Sequence, residues 1–540
     1  MNYATICMVA NRLVGCLVLC MLIILGSSKP GTAQLKAFPE AEGFGRFATG
    51  GRNGTVYRVT NLNNAGPGSL RDAVSQPNRI VVFTVAGVIR ITERMVVAPN
   101  IYIAGQTAPG EGITVYGNGW SFSNAHNTIC RYIRIRMGVG GSSGADALGI
   151  ADGRNMIFDH CSVSWGRDEN FSINSSTAEN ITIQNCIISQ GLLSHSAGGL
   201  IQAPGGITLY RNLYVDNSTR NHKIKGINQY VNNVVYNWQN GAYIMGGDSQ
   251  GESFANAVGN LFIQGPVNGT SPFSGANALY HLYEEDNLHD NNRNGQLDPY
   301  VIPRHEFAGG PDFRPVPYNY PALPTVPANT LFNHLLPEVG ASLPYRDYAD
   351  YYVLNEVKTL GKRGEFIGRE DVMPFGAPTA WNLWAGNART DNDADGIPDD
   401  WELVNGLNPN SATDAMQIAS NGYTHIENYI NGINASHSQP YLRAPLNLRL
   451  DSATQNTLHL SWYDYTEQED GYIIERKQNG SFVQIGTTPA NVNVFTVSGM
   501  LPEQRDTFRV RAFNTSMQSG NSNELIARTK PVEVLVVDPD

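Results

Sequence analysis

The sequence predicts an all-β protein: a parallel β-helix, then a short acidic-loop segment, then a β-sandwich. Three observations predict it. Short β-branched runs separated by polar corners recur from about residue 80 to residue 264. A twelve-residue stretch further on carries aspartates at alternate positions, and the C-terminal part alternates apolar and polar residues with period two. Composition agrees, because 55 glycines and only 16% charged residues in a chain of 540 fit a turn-rich β protein. The length suits about two to four domains.

At the N-terminus, Asn11-Arg12 precedes an apolar run from Leu13 to Gly26, followed by small and polar residues to Ala33-Gln34. This reads as a signal peptide over residues 1–33. The run is shorter than the roughly 18 to 20 residues a membrane span needs. A lipoprotein reading of Leu13-Val-Gly-Cys16 is weaker because the apolar run follows that cysteine. The expectation is a secreted protein, extracellular or periplasmic, with no membrane association once the leader is removed. Cys7, Cys16 and Cys20 leave with the leader, and the odd set Cys130, Cys161 and Cys186 rules out a disulfide scaffold. Each sits in an apolar, strand-like setting that suits a small core-filler, while a Cys161–Cys186 bridge between neighbouring coils stays open. A net charge of −11 without a basic run excludes nucleic acid as the natural partner. An anionic ligand must therefore be met by a local cluster of cations or by a metal.

Residues 34–385 form the first domain. Its repeats are Phe158-Asp-His-Cys161, Ile183-Gln-Asn-Cys186, Tyr210-Arg-Asn-Leu213, Val231-Asn-Asn-Val234 and Val258-Gly-Asn-Leu261. Their corner residues His160, Asn185, Asn212, Asn233 and Asn260 are 25, 27, 21 and 27 positions apart. A loose period in the twenties, made of strands, is the pattern of a parallel β-helix whose coils stack because none can bury its inner face alone. The corner asparagines are expected to form a hydrogen-bonded ladder. An antiparallel sandwich with Asn-rich turns is disfavoured by the scarcity of hairpin dipeptides. The tail of this domain is rich in Pro and Tyr: residues 311–337 read as surface-wrapping chain, and an amphipathic helix is expected over Tyr348 to Leu360. Within it, Asp290 to Asp298 is spaced like a calcium loop, but Val301 stands where a bidentate glutamate is needed, so an Asx-rich turn is an equal alternative.

Residues 386–436 hold a stronger loop. Asp391, Asp393 and Asp395 stand at positions 1, 3 and 5, Gly396 makes the turn, Ile397 offers a carbonyl, and Asp399 and Glu402 fill positions 9 and 12. That is EF-hand spacing, and carboxylates this close repel one another without a divalent cation. The expected role is a calcium staple. Residues 440–532 alternate with period two, and Trp462, Tyr472 and Phe508 in their strands resemble a fibronectin type III module. Asp506 stands where that family commonly has a tyrosine.

The densest reactive set lies in the repeats: Asp146, Asp159-His160, Asp168-Glu169, His195, Arg220, Lys223 and Lys225. Asp146 and Asp168 are 22 residues apart, close to one coil, so their carboxylates are placed to share a hard cation. A metal beside a row of cations suits a sugar carrying carboxylates. Phe158-Asp-His-Cys-Ser162, Asp146-Ala-Leu, Arg220-x-x-Lys-x-Lys225, Gly66-Pro-Gly-Ser-Leu-Arg-Asp-Ala73 and Arg79-Ile-Val-Val-Phe83 together resemble the pectate lyase family of polysaccharide lyases from about Phe38 to Gly265. The core tail and the Asp-rich loop resemble a bacterial branch of it.

The resemblance implies a right-handed parallel β-helix and calcium-assisted β-elimination of α-1,4-linked polygalacturonate, an acidic plant cell-wall polysaccharide, by a monomeric enzyme. It makes Asp146 and Asp168 calcium ligands with Glu169 as a further candidate, and Arg220 the base. Lys223 and Lys225 become substrate-carboxylate ligands, and His195 stands nearest the family's usual lysine. The Asp159-His160 pair becomes structural. Departures are His222 where the family has proline, lysines where it has arginines, and Gly144 and Ser172 where acidic ligands are usual. Two further readings remain: a non-catalytic β-helical adhesin or carbohydrate-binding protein, and a β-helical glycoside hydrolase, which lacks its paired-aspartate motif here.

Overall fold

The computed structural model describes residues 34–532, apart from Asp248, Gln250, Asn268 and Glu467. The expected signal peptide, residues 1–33, lies outside the described residues. No helix among the described residues is long and apolar enough to cross a membrane.

Between Thr55 and Phe313 the chain winds through three sheets of 11, 8 and 10 strands. Successive coils pair in parallel, and the strand Tyr300–Val301 closes one edge antiparallel. The β-helix expected from the repeats is therefore the fold. Alternation along each strand sends one side chain per pair into the bore. Val81, Ile103, Cys130, Phe158, Ile183, Leu209, Tyr230 and Ala257 follow one another from coil to coil as a single buried row. The three cysteines are free thiols at 0% exposure, so they fill the core and no Cys161–Cys186 bridge is present. The helix Leu70–Val74, capped by Ser69, turns Leu70, Ala73 and Val74 into the open end.

One corner recurs with constant geometry. Tyr132, His160, Asn185, Arg211, Asn232 and Asp286 occupy it in successive coils with φ between 51° and 55°, and Gly259 takes the same place at 68°. The expected asparagine ladder is present at Asn212, Asn233 and Asn260, while at the two earlier coils its row runs one residue beyond His160 and Asn185. Strand register sets Cys161 and Cys186 beside Asn212, Asn233, Asn260 and Asn287. Asn212 donates to Asn233 at 3.1 Å, Asn233 to Asn260 at 3.3 Å, and Asn260 to Asn287 at 2.8 Å. Each of these amides also donates to a carbonyl of an earlier coil, for example Asn233 to Leu209 O at 3.0 Å, so the buried polar row is satisfied. His160 and Asn185 stand outside this row. A second ladder at another corner joins Asn78, Asn100, Asn127, Asn155 and Asn180.

Two outer faces are covered. Ile80, Tyr102, Ile129 and Ile157 of the 11-stranded sheet pack under Phe38, Ile397, Ile426 and Ile430. Further along, the Pro-rich stretch hydrogen-bonds the same face through Asn256–Tyr318 and Asn232–Val326. Ile187, Leu213, Val234, Leu261 and Leu288 of the 10-stranded sheet pack under the helices Ala328–Leu335 and Tyr348–Val357. Arg136, at 0% exposure, fastens the second helix by pairing with Asp347 and Asp350, each at 2.7 Å. Neither apolar cluster includes a residue of the 8-stranded sheet.

The C-terminal sandwich packs a three-stranded against a four-stranded antiparallel sheet over Trp462, Tyr472 and Phe508. Asp506, where a tyrosine is usual, is held by Arg476 at 2.7 Å. Buried Arg443 joins this module to the coils through Glu111. The Asp290–Asp298 loop is an Asx-rich turn: Asn294 donates to Asp298 at 3.0 Å, and Asp298 N–H to Asp290 at 3.3 Å.

Asp216 and Glu356 face one another where the Tyr348–Val357 helix meets the coils, at 0% and 2% exposure. Burial raises the pKa of both, and the Glu356 charge raises Asp216 further, which favours a proton shared between them and held on Asp216. An acid raised in the fold is stabilising in its protonated form. Stability is then greatest below the ordinary carboxylate range and falls as pH rises toward the folded pKa. Asp216→Asn supplies that donor permanently. It should be more stable than the parent at neutral pH, by roughly 1 kcal/mol or more, with the gap closing in acid. Urea denaturation across pH checks this, and parallel pH profiles would remove the shared proton.

Candidate active site

The strands Leu148–Ile150, Phe171–Asn174, Leu200–Gln202 and Lys223–Lys225 are neighbours in the 8-stranded sheet. Ile150, Ile173, Ile201 and Ile224 form its inner row. Lys223 and Lys225, flanking Ile224, therefore point outward together. Lys223 is half-buried and Lys225 is buried.

The carboxylates stand at the corner that feeds this sheet. Ala147 N–H donates to Glu169 O at 3.0 Å, and Glu169 N–H to the Asp146 carboxylate at 3.2 Å. Glu169, rather than Asp168, thus lies alongside Asp146. Asp168 turns toward solvent and meets His195 Nε2 at 3.2 Å. Asp168, Glu169 and His195 bring ligand atoms within 4.8 Å of one another. Arg220, at a left-handed corner with φ 55°, forms an ion pair with Glu169.

Glu169 is only 4% exposed, and burial, then the Asp168 charge, push its pKa up to about 8 against the pull of Arg220. Burial also raises Asp146. Crowded, half-desolvated carboxylates of this kind favour a hard divalent cation. Asp146, Asp168 and Glu169 supply the oxygen donors calcium takes, whereas His195 offers nitrogen. Gly144 is exposed with nothing near a Cβ placed on it, and the Ser172 hydroxyl accepts from Leu200 N–H at 3.3 Å, so neither adds a carboxylate.

Arg94 went unnoticed in the sequence. Its guanidinium donates to Asp146 O at 3.0 Å and spreads over Gly119 and Gly149, where a Cβ would come within 2.7 and 2.9 Å of it. Those glycines one and two coils away were the available signal. His222 fills the bore at 0% exposure: its Nε2–H donates to Phe171 O and its Nδ1 accepts from Tyr214 O–H, both at 3.0 Å. Burial lowers its pKa to about 4, which keeps the ring neutral. Asp159, although burial alone would raise it, is held well below the usual carboxylate range by His160 and Arg131. With His160 stacked on Tyr132 at 4.7 Å, this pair belongs to the corner between the other two sheets.

In the acidic loop Asp391, Asp393 and Asp395 converge, Glu402 gathers with Asp395, and Ile397 is fully buried. Asp399 is engaged differently, with both its oxygens accepting hydrogen bonds from Asn392.

A Cβ on Gly199 would lie 2.1 Å from the His222 ring. Gly199→Ala should therefore cost about 1–3 kcal/mol and displace the Arg220-to-Lys225 segment. Denaturant midpoints measure the loss, and an unchanged midpoint would contradict the packing described.

The fibronectin type III domain profile matches residues 443–528. Probable pectate lyase C of Aspergillus fumigatus is 51% identical over 415 residues, covering 76% of this chain and 97% of that protein. Its counterpart in Aspergillus flavus is 53% identical over 405 residues, covering 74% and 95%. These relatives are fungal, so they lend nothing to the expected bacterial branch. Among solved structures, the cedar-pollen allergen jun a 1 aligns with TM-score 0.41 at 18% identity, over 58% of this chain and 96% of that one. Pectate lyase pelN from Paenibacillus sp. 0602 aligns with TM-score 0.40 at 12% identity, over 60% and 100%.

Proposed function

Because this chain belongs to the pectate lyase family, we propose that it is a secreted, monomeric lyase that cleaves α-1,4-linked polygalacturonate by calcium-assisted β-elimination. One observation carries this reading. Arg220, Lys223 and Lys225 adjoin Asp146, Asp168 and Glu169 on the sheet that neither covering apolar cluster includes.

Asp146, Asp168 and Glu169 are the residues to hold calcium. A calcium ion held there would neutralise the substrate carboxylate and so acidify the neighbouring C5 proton. Lys223 and Lys225 bind uronate carboxylates as point charges, with less strict geometry than an arginine fork. His195 braces Asp168 and faces the substrate. Arg220, after releasing one guanidinium proton to water, takes the C5 proton on the guanidine nitrogen so freed, the C5–H electrons become the C4–C5 double bond, and the C4–O bond breaks. Its electron pair leaves with the departing sugar oxygen, which takes a proton from water.

Guanidinium is a poor base because it holds its proton tightly. The ion pair with Glu169 reinforces that hold, so Glu169 must direct its charge elsewhere before Arg220 can act. A calcium ion held by Glu169 would take up that charge, and Lys223 and Lys225 nearby would further favour the neutral guanidine.

The mature protein on polygalacturonate with calcium should generate the ultraviolet absorbance of an unsaturated uronate, and a chelator should abolish it. New reducing ends without absorbance would indicate hydrolysis, and neither product would indicate a binding protein. Arg220→Ala should lower kcat by about 10²–10⁴-fold, and an intact rate would overturn its role as base. Glu169→Gln should raise the calcium concentration needed for half-maximal rate by about 10–100-fold. An unchanged requirement in that titration would remove Glu169 from the ligand set.

A further inference from the structure

The acidic loop repeats one pattern in Asp391, Asp393 and Asp395: one oxygen is anchored by a backbone N–H and the other is left over. Gly396 N–H donates to Asp391 Oδ2 at 3.1 Å, Asp395 N–H to Asp393 Oδ1 at 3.3 Å, and Ile397 N–H to Asp395 Oδ1 at 2.8 Å. A fourth aspartate follows the same rule from outside the twelve residues: Asn408 N–H donates to Asp414 Oδ2 at 3.1 Å. The remaining oxygens, Asp391 Oδ1, Asp393 Oδ2, Asp395 Oδ2 and Asp414 Oδ1, are buried without a hydrogen-bond partner, as are both Glu402 oxygens. Glu402 is 0% exposed, Asp395 5% and Asp414 8%. Ligand atoms of Asp391, Asp393 and Asp395 lie within 4.8 Å of one another, as do those of Asp395, Glu402 and Asp414.

Six buried carboxylate oxygens without hydrogen bonds, on five acids, are a large desolvation cost that a protein removes with a cation. The cation seen near them is Arg58, 3.5 Å from Asp391 on its anchored oxygen. Burial and the neighbouring acids push Asp395 and Glu402 up to about 7, as expected for carboxylates awaiting a counter-ion. All donors are hard oxygens, and their number matches the 6–8 that calcium takes.

Asp399, which the spacing places at position 9, is not among them. It accepts from Asn392 N–H at 2.8 Å and from the Asn392 side-chain amide, closing the loop onto the helix Asp399–Asn405. The same loop lies on the coils. Ile397 packs with Ile426 and Ile430 on Ile80 and Val82, and a Cβ on Gly396, at φ 96°, would come within 2.9 Å of Val56.

We propose that one calcium ion binds through Asp391, Asp393, Asp395, Glu402 and Asp414, with Asp414 rather than Asp399 completing the shell. The ion fastens residues 391–414 to the first coils and acts on stability, independently of the lyase reading.

The test uses the full mature chain carrying Asp168→Asn and Glu169→Gln, which removes the candidate catalytic ligands. After chelation, calorimetric titration with calcium should find one site, and saturation should raise Tm. Asp414→Asn in that background should weaken this site by about 10–100-fold, while Asp399→Asn should retain it. Loss with Asp399→Asn and retention with Asp414→Asn would overturn the ligand assignment, and no calcium binding at all would overturn the site. If Asp414→Asn does not fold, terbium replaces calcium in the folded background protein. Its luminescence, excited at the tryptophan absorption edge, should fall in Trp401→Phe, since Trp401 adjoins Glu402. Undiminished emission would place the ion elsewhere and sink the proposal.

Discussion

The structure depends on one constraint: every coil must present its backbone N–H and C=O groups in register with the coils on either side. No coil is stable alone, because its inner face buries only against its neighbours. Variation in coil length is therefore absorbed at corners, never within strands. The left-handed residues from Tyr132 to Asp286 keep one corner fixed, and the asparagine row beside them meets the hydrogen-bonding needs of that turn. Wherever the corner is fixed, so is the face on which each following side chain emerges.

The same constraint builds the site. Asp146, Glu169 and Arg220 come from three different coils and meet because register aligns them. Lys223 and Lys225 emerge together because Ile224 must enter the bore. The covering segments then select the working surface. Two faces are sealed by apolar clusters, while neither cluster includes a residue of the third sheet, beside which the charged residues gather. The acidic loop and the Arg443–Glu111 pair tie the later segments back to the coils.

Much of the fold was legible because periodicity and turn chemistry are local. The twenty-odd-residue period, the burial of the cysteines and the sandwich around Trp462 all follow from short-range pattern. The errors are of register and reach. His160 and Asn185 carry the same polar signal as Asn212, yet stand one residue off its row, because the 26-residue step from Cys186 to Asn212 is visible only in strand pairing. Arg94 was missed, because it approaches Asp146 from 52 residues away and only two glycines on later coils mark its path.

By itself, the sequence determined the stacked-coil architecture, the appended sandwich and the residue types that gather at the site, since all are encoded in spacing and polarity along the chain. Only the tertiary structure decided which carboxylate stands beside Asp146, that Glu169 grips Arg220, and that Asp414 gathers with Asp395 and Glu402 at the acidic loop. Those facts depend on which side-chain oxygens the backbone has already engaged, and that is settled when distant segments pack.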